Sequence, residues 1–168
     1  MFASRYFKYR SPRSIVTSGG LGTMGFCMPA AIGASFGAPE RMILAFFGDG
    51  GFQMNIQELG TIMENQAPVK MILMNNTYLG NVRQWQQMMF QSRYSCTHMM
   101  NPDYSKIAAA YNIPYILVTD RSQLKDAVKQ MISAKGPFIL ETAVMEEENV
   151  MPMIKPGNSV DEMIFEIN

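Results

Sequence analysis

Cysteine, histidine and tryptophan are scarce in this 168-residue sequence, which contains two cysteines, one histidine and one tryptophan. Cys27 and Cys96 lack the close spacing of a zinc motif, and His98 belongs to no cluster of ligand-type residues. Acidic and basic residues balance at 14 each, so the composition does not indicate a surface for nucleic acid or an anionic membrane. Two widely separated thiols favour a reducing, cytoplasmic location.

Long apolar runs are absent as well. No stretch approaches the roughly 18–20 apolar residues of a membrane-spanning helix, and residues 1–10 lack the apolar core of a secretory signal. The sequence has neither internal repeats nor low-complexity segments. Its length fits one domain with a hydrophobic core of its own. These features predict a protein without nucleic-acid or membrane partners.

Short apolar segments alternate along the sequence with segments of helical character. Strands are predicted at residues 14–17, 42–47, 69–74, 115–118 and 137–144. Helices are predicted at residues 26–36, 54–65, 82–90, 103–111 and 122–134, with an irregular loop at residues 91–102. This alternation predicts a single α/β domain of three layers, in which a mostly parallel central sheet is flanked by helices. We expect the domain to span residues 1–145 and a tail, residues 146–168, to pack near the functional site.

Polar residues directly follow two of the predicted strands. Asp49 follows the second strand, and the pair Asn75-Asn76 follows the third strand after 24 intervening residues. A carboxylate and an amide oxygen are hard ligands suited to Mg²⁺, which also binds water and the phosphates of a ligand. The glycines on either side of Asp49, Gly48 and Gly50, allow the backbone to approach a diphosphate closely. The pattern therefore predicts a site for magnesium and a diphosphate.

A glycine-rich segment, residues 20–25, follows the first predicted strand and fits the G-x-G-x-x-G pattern of dinucleotide-binding loops. Such a site also needs an acidic residue about 20 positions further on, but Glu40 comes early and Asp49 slightly late. A plain turn into a helix is the simpler alternative, and both interpretations stay open. Because ligands of parallel sheets bind beyond the carboxyl ends of the strands, three segments are predicted to meet at one edge: residues 19–25, 48–55 and 75–80.

The spacing between Gly-Asp-Gly and Asn-Asn resembles the thiamine-diphosphate motif. The wider sequence is similar to the large subunit of the acetolactate synthase (acetohydroxyacid synthase) family. The similar segments are SGGLGTMGF (18–26), PAAIGA (29–34), GDGGFQMNIQEL (48–59), MNNTYLGNVRQW (74–85) and PMIKPG (152–157). They cover the last of the three domains usual in that family. The resemblance implies a thiamine-diphosphate-binding fold in an enzyme that condenses two pyruvates, or pyruvate with 2-oxobutyrate, with loss of CO₂.

This resemblance implies a ligand set for the metal and the diphosphate. Asp49 and Asn76 would bind Mg²⁺ through their side chains, and Tyr78 would bind it through its backbone carbonyl. Gly50 and Gly51 would offer backbone N–H groups to the diphosphate. The reaction would serve the biosynthesis of branched-chain amino acids, valine and isoleucine among them.

The resemblance also implies contacts to the thiamine rings and the substrate. The Gly22 carbonyl would accept from the 4′-amino group, and the Met24 N–H would bind a ring nitrogen. Met54 matches a cofactor-facing position, with a core position as a close alternative. Trp85 matches the tryptophan of the substrate channel in FAD-containing biosynthetic members, with simple packing as the alternative. Cys27 is expected to pack against the core rather than to act as a reactive thiol.

Other parts of the family's chemistry are expected outside this sequence. The glutamate that activates the cofactor lies in the N-terminal domain of the partner subunit, so we nominate no catalytic residue and expect the isolated domain to be inactive. FAD is expected to bind mainly through other domains. The resemblance implies a homodimer or homotetramer of the full-length chain, with a small regulatory subunit as an optional partner. Alternative functions are another thiamine-diphosphate decarboxylase or oxidase and, more distantly, a dinucleotide-binding module that uses residues 20–25.

Overall fold

Four parallel strands form the centre of the domain in the computed structural model, which describes residues 1–167. The sheet has the strand order β1-β2-β4-β3, and each neighbouring pair of strands is parallel. All four carboxyl ends therefore lie at the same edge of the sheet. The strands are β1 (Leu44–Gly48), β2 (Lys70–Asn75), β3 (Tyr115–Val118) and β4 (Phe138–Ala143).

Helices connect the strands and cover both faces of the sheet. Within the described residues, the α-helices are α1 (Phe2–Tyr6), α2 (Cys27–Gly37), α3 (Asp49–Gln53), α4 (Glu58–Asn65), α5 (Gly80–Met89), α6 (Tyr104–Ala110) and α7 (Leu124–Ser133). Short 3₁₀ turns occur at Arg121–Gln123 and Val160–Glu162. No helix among residues 1–167 is long and apolar enough to cross a membrane.

Apolar side chains form one hydrophobic cluster on each side of the sheet. Met71 and Ile139 belong to the larger cluster, together with residues of α2, α3, α4 and α6. Phe138 and Leu140 belong to the smaller cluster, together with residues of α7. Because successive residues of a strand point to opposite faces, these clusters place helices on both faces. The predicted three-layer α/β fold with a parallel sheet is confirmed.

The structure differs from the predicted elements in three places, one of which is helix α1, where no helix is predicted. Residues 14–17, predicted as a strand, pair with no other strand in the part of the chain that the structure describes, and Ile15 and Val16 are exposed. β-branched residues alone do not make a strand, because strands are stabilised by packing against cross-strand neighbours. The helix predicted to begin at residue 54 begins earlier, as α3 at Asp49, and turns interrupt it before α4.

The tail that follows β4 contacts helix α5. Gln84 accepts a 2.8 Å hydrogen bond from the N–H of Val150 and donates a 3.1 Å hydrogen bond to the carbonyl oxygen of the same residue. Arg83 forms a 2.6 Å ion pair with Glu147. These contacts attach the tail to the helix that carries Trp85.

Candidate functional site

The carboxylate of Asp49 is buried at the carboxyl end of β1. The strand ends at Gly48 and α3 begins with the next residue, which leaves Asp49 only 1% exposed. Its Oδ1 atom accepts a 3.0 Å hydrogen bond from the N–H of Gly50. A Cβ atom at position 50 would lie 2.5 Å from Cδ2 of Leu79, so the backbone here is closely packed. The junction thus holds a charged oxygen in one place.

The residues after β2 bring further polar atoms to Asp49. One terminal atom of the Asn76 amide lies 3.3 Å from Asp49 Oδ1 and 2.9 Å from the carbonyl oxygen of Tyr78. With nitrogen at that position, the amide donates to both oxygens. With oxygen there, three oxygens face one another, which is an arrangement that a cation stabilises. The two motif halves predicted to form a metal site are therefore adjacent.

The glycine-rich segment lies against the same junction. The carbonyl oxygen of Gly25 accepts a 2.9 Å hydrogen bond from Asn55 Nδ2, and a Cβ atom on Gly51 would lie 3.9 Å from the backbone nitrogen of Gly25. Gly22 and Gly25 have φ values of 64° and 84°, which glycine adopts without a steric penalty. The structure therefore brings together the three segments expected to converge, residues 19–25, 48–55 and 75–80.

Two methionines predicted to contact the cofactor lie at the open side of this site. Met24 is 44% exposed and Met54 is 49% exposed, so neither side chain lies in the hydrophobic core of the described residues. Trp85 is half-buried on α5, where its Nε1 atom donates to Asn81 Oδ1 at 3.2 Å. Contact of the methionines with a cofactor, and of Trp85 with a substrate, stay predictions.

A network of hydrogen bonds extends from Asp49 across the edge of the sheet, and the sequence motifs do not predict it. Asn101 Nδ2 donates to Asp49 Oδ2 at 2.7 Å and to Asn75 Oδ1 at 2.8 Å. Asn75 Nδ2 donates to Glu141 Oε1 at 2.7 Å, and Glu141 Oε2 accepts from the Tyr115 hydroxyl at 2.6 Å. This hydrogen-bond network joins groups at β1, β2, β4 and β3, in the order of the strands in the sheet.

Sequence signals for these additional residues differ in strength. Glu141 is an acidic residue within the last predicted strand, and a carboxylate in a buried strand needs hydrogen-bond partners. Asn101 has no such signal, because an asparagine before a helix is also a common cap. The actual cap of α6 is Asp103, whose side chain accepts from the N–H groups of Ser105 and Lys106.

Two buried carboxylates, those of Asp49 and Glu141, dominate the electrostatics of the site. Within residues 1–167, no lysine, arginine or histidine nitrogen lies within 4.0 Å of either one. Burial and the charge of Asp49 raise the pKa of Tyr104 above its usual range. Burial and the hydrogen bond to Glu141 raise the pKa of Tyr115, so both phenols stay protonated at neutral pH. Buried charge is costly unless it is paired or coordinates a metal.

Residues 1–142 match the model of a known family, described as "Thiamine pyrophosphate enzyme, C-terminal TPP binding domain". The chain therefore belongs to this family of thiamine-diphosphate-binding domains. Family membership favours thiamine diphosphate over a dinucleotide as the ligand of residues 20–25.

More particular relatives are acetolactate synthases. The chain is 42% identical over 169 residues to the acetolactate synthase isozyme 2 large subunit of Escherichia coli (strain K12), with 100% of this chain and 31% of that protein covered. It is 41% identical to chloroplastic acetolactate synthase 2 of Nicotiana tabacum, with coverage of 99% and 26%. It is 40% identical to the mitochondrial acetolactate synthase catalytic subunit of Saccharomyces cerevisiae, with coverage of 98% and 24%. The chain is thus homologous to acetolactate synthase large subunits.

A solved structure supports the same fold. The thiamine diphosphate-dependent 4-hydroxybenzoylformate decarboxylase of Rhodococcus jostii RHA1 superimposes with a TM-score of 0.71 at 25% identity. The match covers 76% of this chain and 24% of that protein. The three acetolactate synthases are likewise much longer, since this chain spans between 24% and 31% of their length.

Proposed function

We propose that this chain is the cofactor-binding domain of a thiamine-diphosphate-dependent acetolactate synthase. The enzyme condenses two pyruvates, or pyruvate with 2-oxobutyrate, with loss of CO₂, in the biosynthesis of valine and isoleucine. Identities of 40–42% across almost the whole chain support this activity. The structural observation that carries the proposal is the convergence of Asp49, Asn76 and Tyr78 beside the glycine-rich segment.

Magnesium fits the oxygen atoms of these three residues. In an octahedron with Mg–O distances of about 2.0–2.1 Å, adjacent ligand oxygens lie about 2.9 Å apart. The two separations at the Asn76 amide are 2.9 Å and 3.3 Å, close to that spacing. A divalent ion would also balance the buried charge of Asp49. These observations support Asp49 and Asn76 as side-chain ligands and Tyr78 as a carbonyl ligand.

The diphosphate fits beside the metal, at the junction between β1 and α3. A Cβ atom on Gly48 would meet nothing within 4 Å, so the end of the strand is open to a ligand. The backbone N–H groups of Gly50 and Gly51 are the proposed diphosphate donors. Gly50 already donates to Asp49 Oδ1, so its N–H would be shared with, or released to, a phosphate oxygen.

The thiamine rings fit against the glycine-rich segment. We assign the Gly22 carbonyl and the Met24 N–H as contacts of the aminopyrimidine, with Met54 beside them. The exposure of both methionines leaves this side accessible. Trp85, on α5, is assigned to the wall of the substrate channel. Its half-buried position leaves part of the indole free for contact.

The chemistry divides between the cofactor and the polypeptide. When bound, thiamine diphosphate supplies the nucleophilic carbon and the electron sink for decarboxylation. This chain binds the metal and the diphosphate and orients the rings. We assign no catalytic residue within it, because the activating glutamate and most of the FAD site belong to other parts of the enzyme and to its partner subunit.

The proposed assembly is a homodimer or homotetramer of the full-length protein, with a small regulatory subunit as an optional partner. Residues 1–145 form the cofactor domain, and residues 146–168 form a tail near the active site. The contact of Val150 with Gln84 supports that position of the tail. Two free cysteines fit a cytoplasmic location.

An assay of the complete protein tests the proposed activity. The protein receives pyruvate, thiamine diphosphate, Mg²⁺ and FAD, and acetolactate is measured with and without 2-oxobutyrate. We expect acetolactate from pyruvate alone and acetohydroxybutyrate when 2-oxobutyrate is added. The isolated 168-residue chain should form neither product, and robust turnover by it would contradict the assignment of the activating glutamate to the partner subunit.

A related decarboxylase is the second candidate function. It rests on the fold shared with the 4-hydroxybenzoylformate decarboxylase of Rhodococcus jostii RHA1. In the same assay, release of CO₂ without either condensation product would favour this candidate. The lower identity of 25%, against 40–42% for acetolactate synthases, makes it the weaker of the two.

A further inference from the structure

We propose that Asn101 is a positioning residue that orients the Asp49 carboxylate for Mg²⁺. Glu141 in turn holds Asn101 in place through their shared hydrogen-bond partner, Asn75. This inference rests on the proposed function, because it concerns the same metal site. Asn101 lies 52 residues from Asp49 in the sequence and belongs to none of the sequence motifs that predict the site. Its amide touches the carboxylate on the side away from Asn76.

The two oxygens of Asp49 have different surroundings. Oδ2 accepts the 2.7 Å hydrogen bond from Asn101, whereas Oδ1 faces Asn76 at 3.3 Å. A carboxylate held by one oxygen cannot rotate freely about its terminal bond. Asn101 therefore presents Oδ1 to the position where the metal ligands converge.

The orientation of Asn101 is determined by its neighbours. A carboxylate is an acceptor only, so the Asn101 atom facing Asp49 must be the nitrogen. The two hydrogens of that nitrogen bind Asp49 and Asn75, and Asn101 Oδ1 accepts from Gln53 Nε2 at 2.8 Å. With all its hydrogen-bonding groups in use, the amide is held in one orientation.

The end of the hydrogen-bond network that is remote from Asp49 is anchored in the sheet. Asn75, the last residue of β2, donates to Glu141 of β4 at 2.7 Å. Glu141 is 6% exposed and accepts a second hydrogen bond from Tyr115 of β3. Partners that orient a metal ligand typically change metal affinity by about 10–100-fold when they are removed. The geometry assigns that role to Asn101.

The test compares cation selectivity in the complete protein and in an Asn101→Ala variant. Binding of Mg²⁺ and of Ca²⁺ is measured by calorimetry with thiamine diphosphate in excess. Mg²⁺ requires near-ideal octahedral geometry, whereas Ca²⁺ accepts 6–8 ligands at variable positions. We expect Asn101→Ala to weaken Mg²⁺ binding by about 10–100-fold and Ca²⁺ binding much less. A merely structural role would weaken both ions in parallel, and that result would overturn the inference.

Control variants keep the outcome unambiguous. Asn65→Ala removes another amide that donates a 2.9 Å hydrogen bond, to Thr61, and should leave both affinities unchanged. If Asn101→Ala does not fold, Gln53→Ala tests the same hydrogen-bond network, because Gln53 donates to Asn101. It should give a smaller loss of affinity that is again selective for Mg²⁺. An unselective loss, or none, would overturn the inference.

The Asp49→Ala variant separates this inference from the proposed function. Loss of Mg²⁺ binding in Asp49→Ala, with unchanged binding in Asn101→Ala, would refute the positioning role and leave the metal site intact. Unchanged Mg²⁺ binding in Asp49→Ala would refute the metal site and the positioning role together.

Discussion

Asn55 donates a 2.9 Å hydrogen bond to the carbonyl oxygen of Gly25, which lies 30 residues earlier in the chain. The bond joins the glycine-rich segment to the turn between α3 and α4. Gly25 has a φ of 84°, and a Cβ atom there would lie 2.7 Å from Asn55 Nδ2 and 3.0 Å from Met54 Cβ. Both the backbone conformation and the close approach require glycine. This contact therefore sets the spacing between two segments proposed to bind the cofactor.

Substitution of Gly25 by alanine should destabilise the protein and weaken cofactor binding. Strain of a non-glycine residue in this backbone region costs about 1–3 kcal/mol, and displacement of Asn55 adds to it. We expect urea denaturation to show a loss of that size in the free energy of unfolding. Gly33→Ala, on α2, is the matched control, because a Cβ there meets nothing within 4 Å and alanine favours a helix. Equal losses in the two variants would contradict this interpretation.

Local signals explain which elements the sequence predicts well. The strand predicted at residues 115–118 coincides with β3, and the helix predicted at residues 103–111 corresponds to α6. The strand predicted at residues 14–17 does not form, because a strand needs a neighbouring strand to pair with, and the local sequence does not reveal whether one is present. The start of α3 at Asp49 is missed, because Asp followed by Gly favours a turn in isolation.

The candidate site shows the same division between local and distant information. The approach of Asp49 to Asn76 is predictable, because the ends of adjacent parallel strands meet at one edge. The contact of Asn101 with Asp49 is not, since an irregular loop gives no periodicity from which to place a side chain. The contact of Glu141 is partly predictable, because a charged residue within a strand indicates a buried hydrogen-bond partner but does not identify Asn75 as that partner.

The two cysteines should differ strongly in reactivity. Burial raises the pKa of the Cys27 thiol to about 11, whereas Cys96 is exposed. Since the thiolate is the reactive form, iodoacetamide at pH 7.5 should modify Cys96 first and Cys27 much more slowly. The rate at Cys27 should rise about tenfold per pH unit below its pKa, as measured by peptide mass spectrometry. Rapid modification of Cys27 at pH 7.5 would identify it as a reactive thiol instead.

Replacement of Trp85 by leucine should change substrate preference more than cofactor affinity. The indole is half-buried on α5 and is attached through Asn81, so its loss reshapes a surface rather than the core. We expect the ratio of 2-oxobutyrate to pyruvate use to shift by about tenfold. Product ratios and thiamine-diphosphate titrations measure the two effects.

The Asn81→Ala variant is the control for Trp85. It removes the hydrogen bond to the indole nitrogen but keeps the ring, so substrate preference should change little. A large fall in melting temperature in Trp85→Leu, with an unchanged product ratio, would show that Trp85 is a packing residue.

Substitution of Asp49 by alanine should remove Mg²⁺-dependent cofactor binding. The variant loses a buried carboxylate oxygen that lies 3.3 Å from the Asn76 amide, and with it the charge that attracts the cation. We expect thiamine-diphosphate affinity in Mg²⁺ to fall by about 100-fold or more, as measured by calorimetry. Asp126→Ala removes an exposed carboxylate on α7 and should leave that affinity unchanged. If Asp49→Ala binds the cofactor as tightly as Asp126→Ala, the metal lies elsewhere.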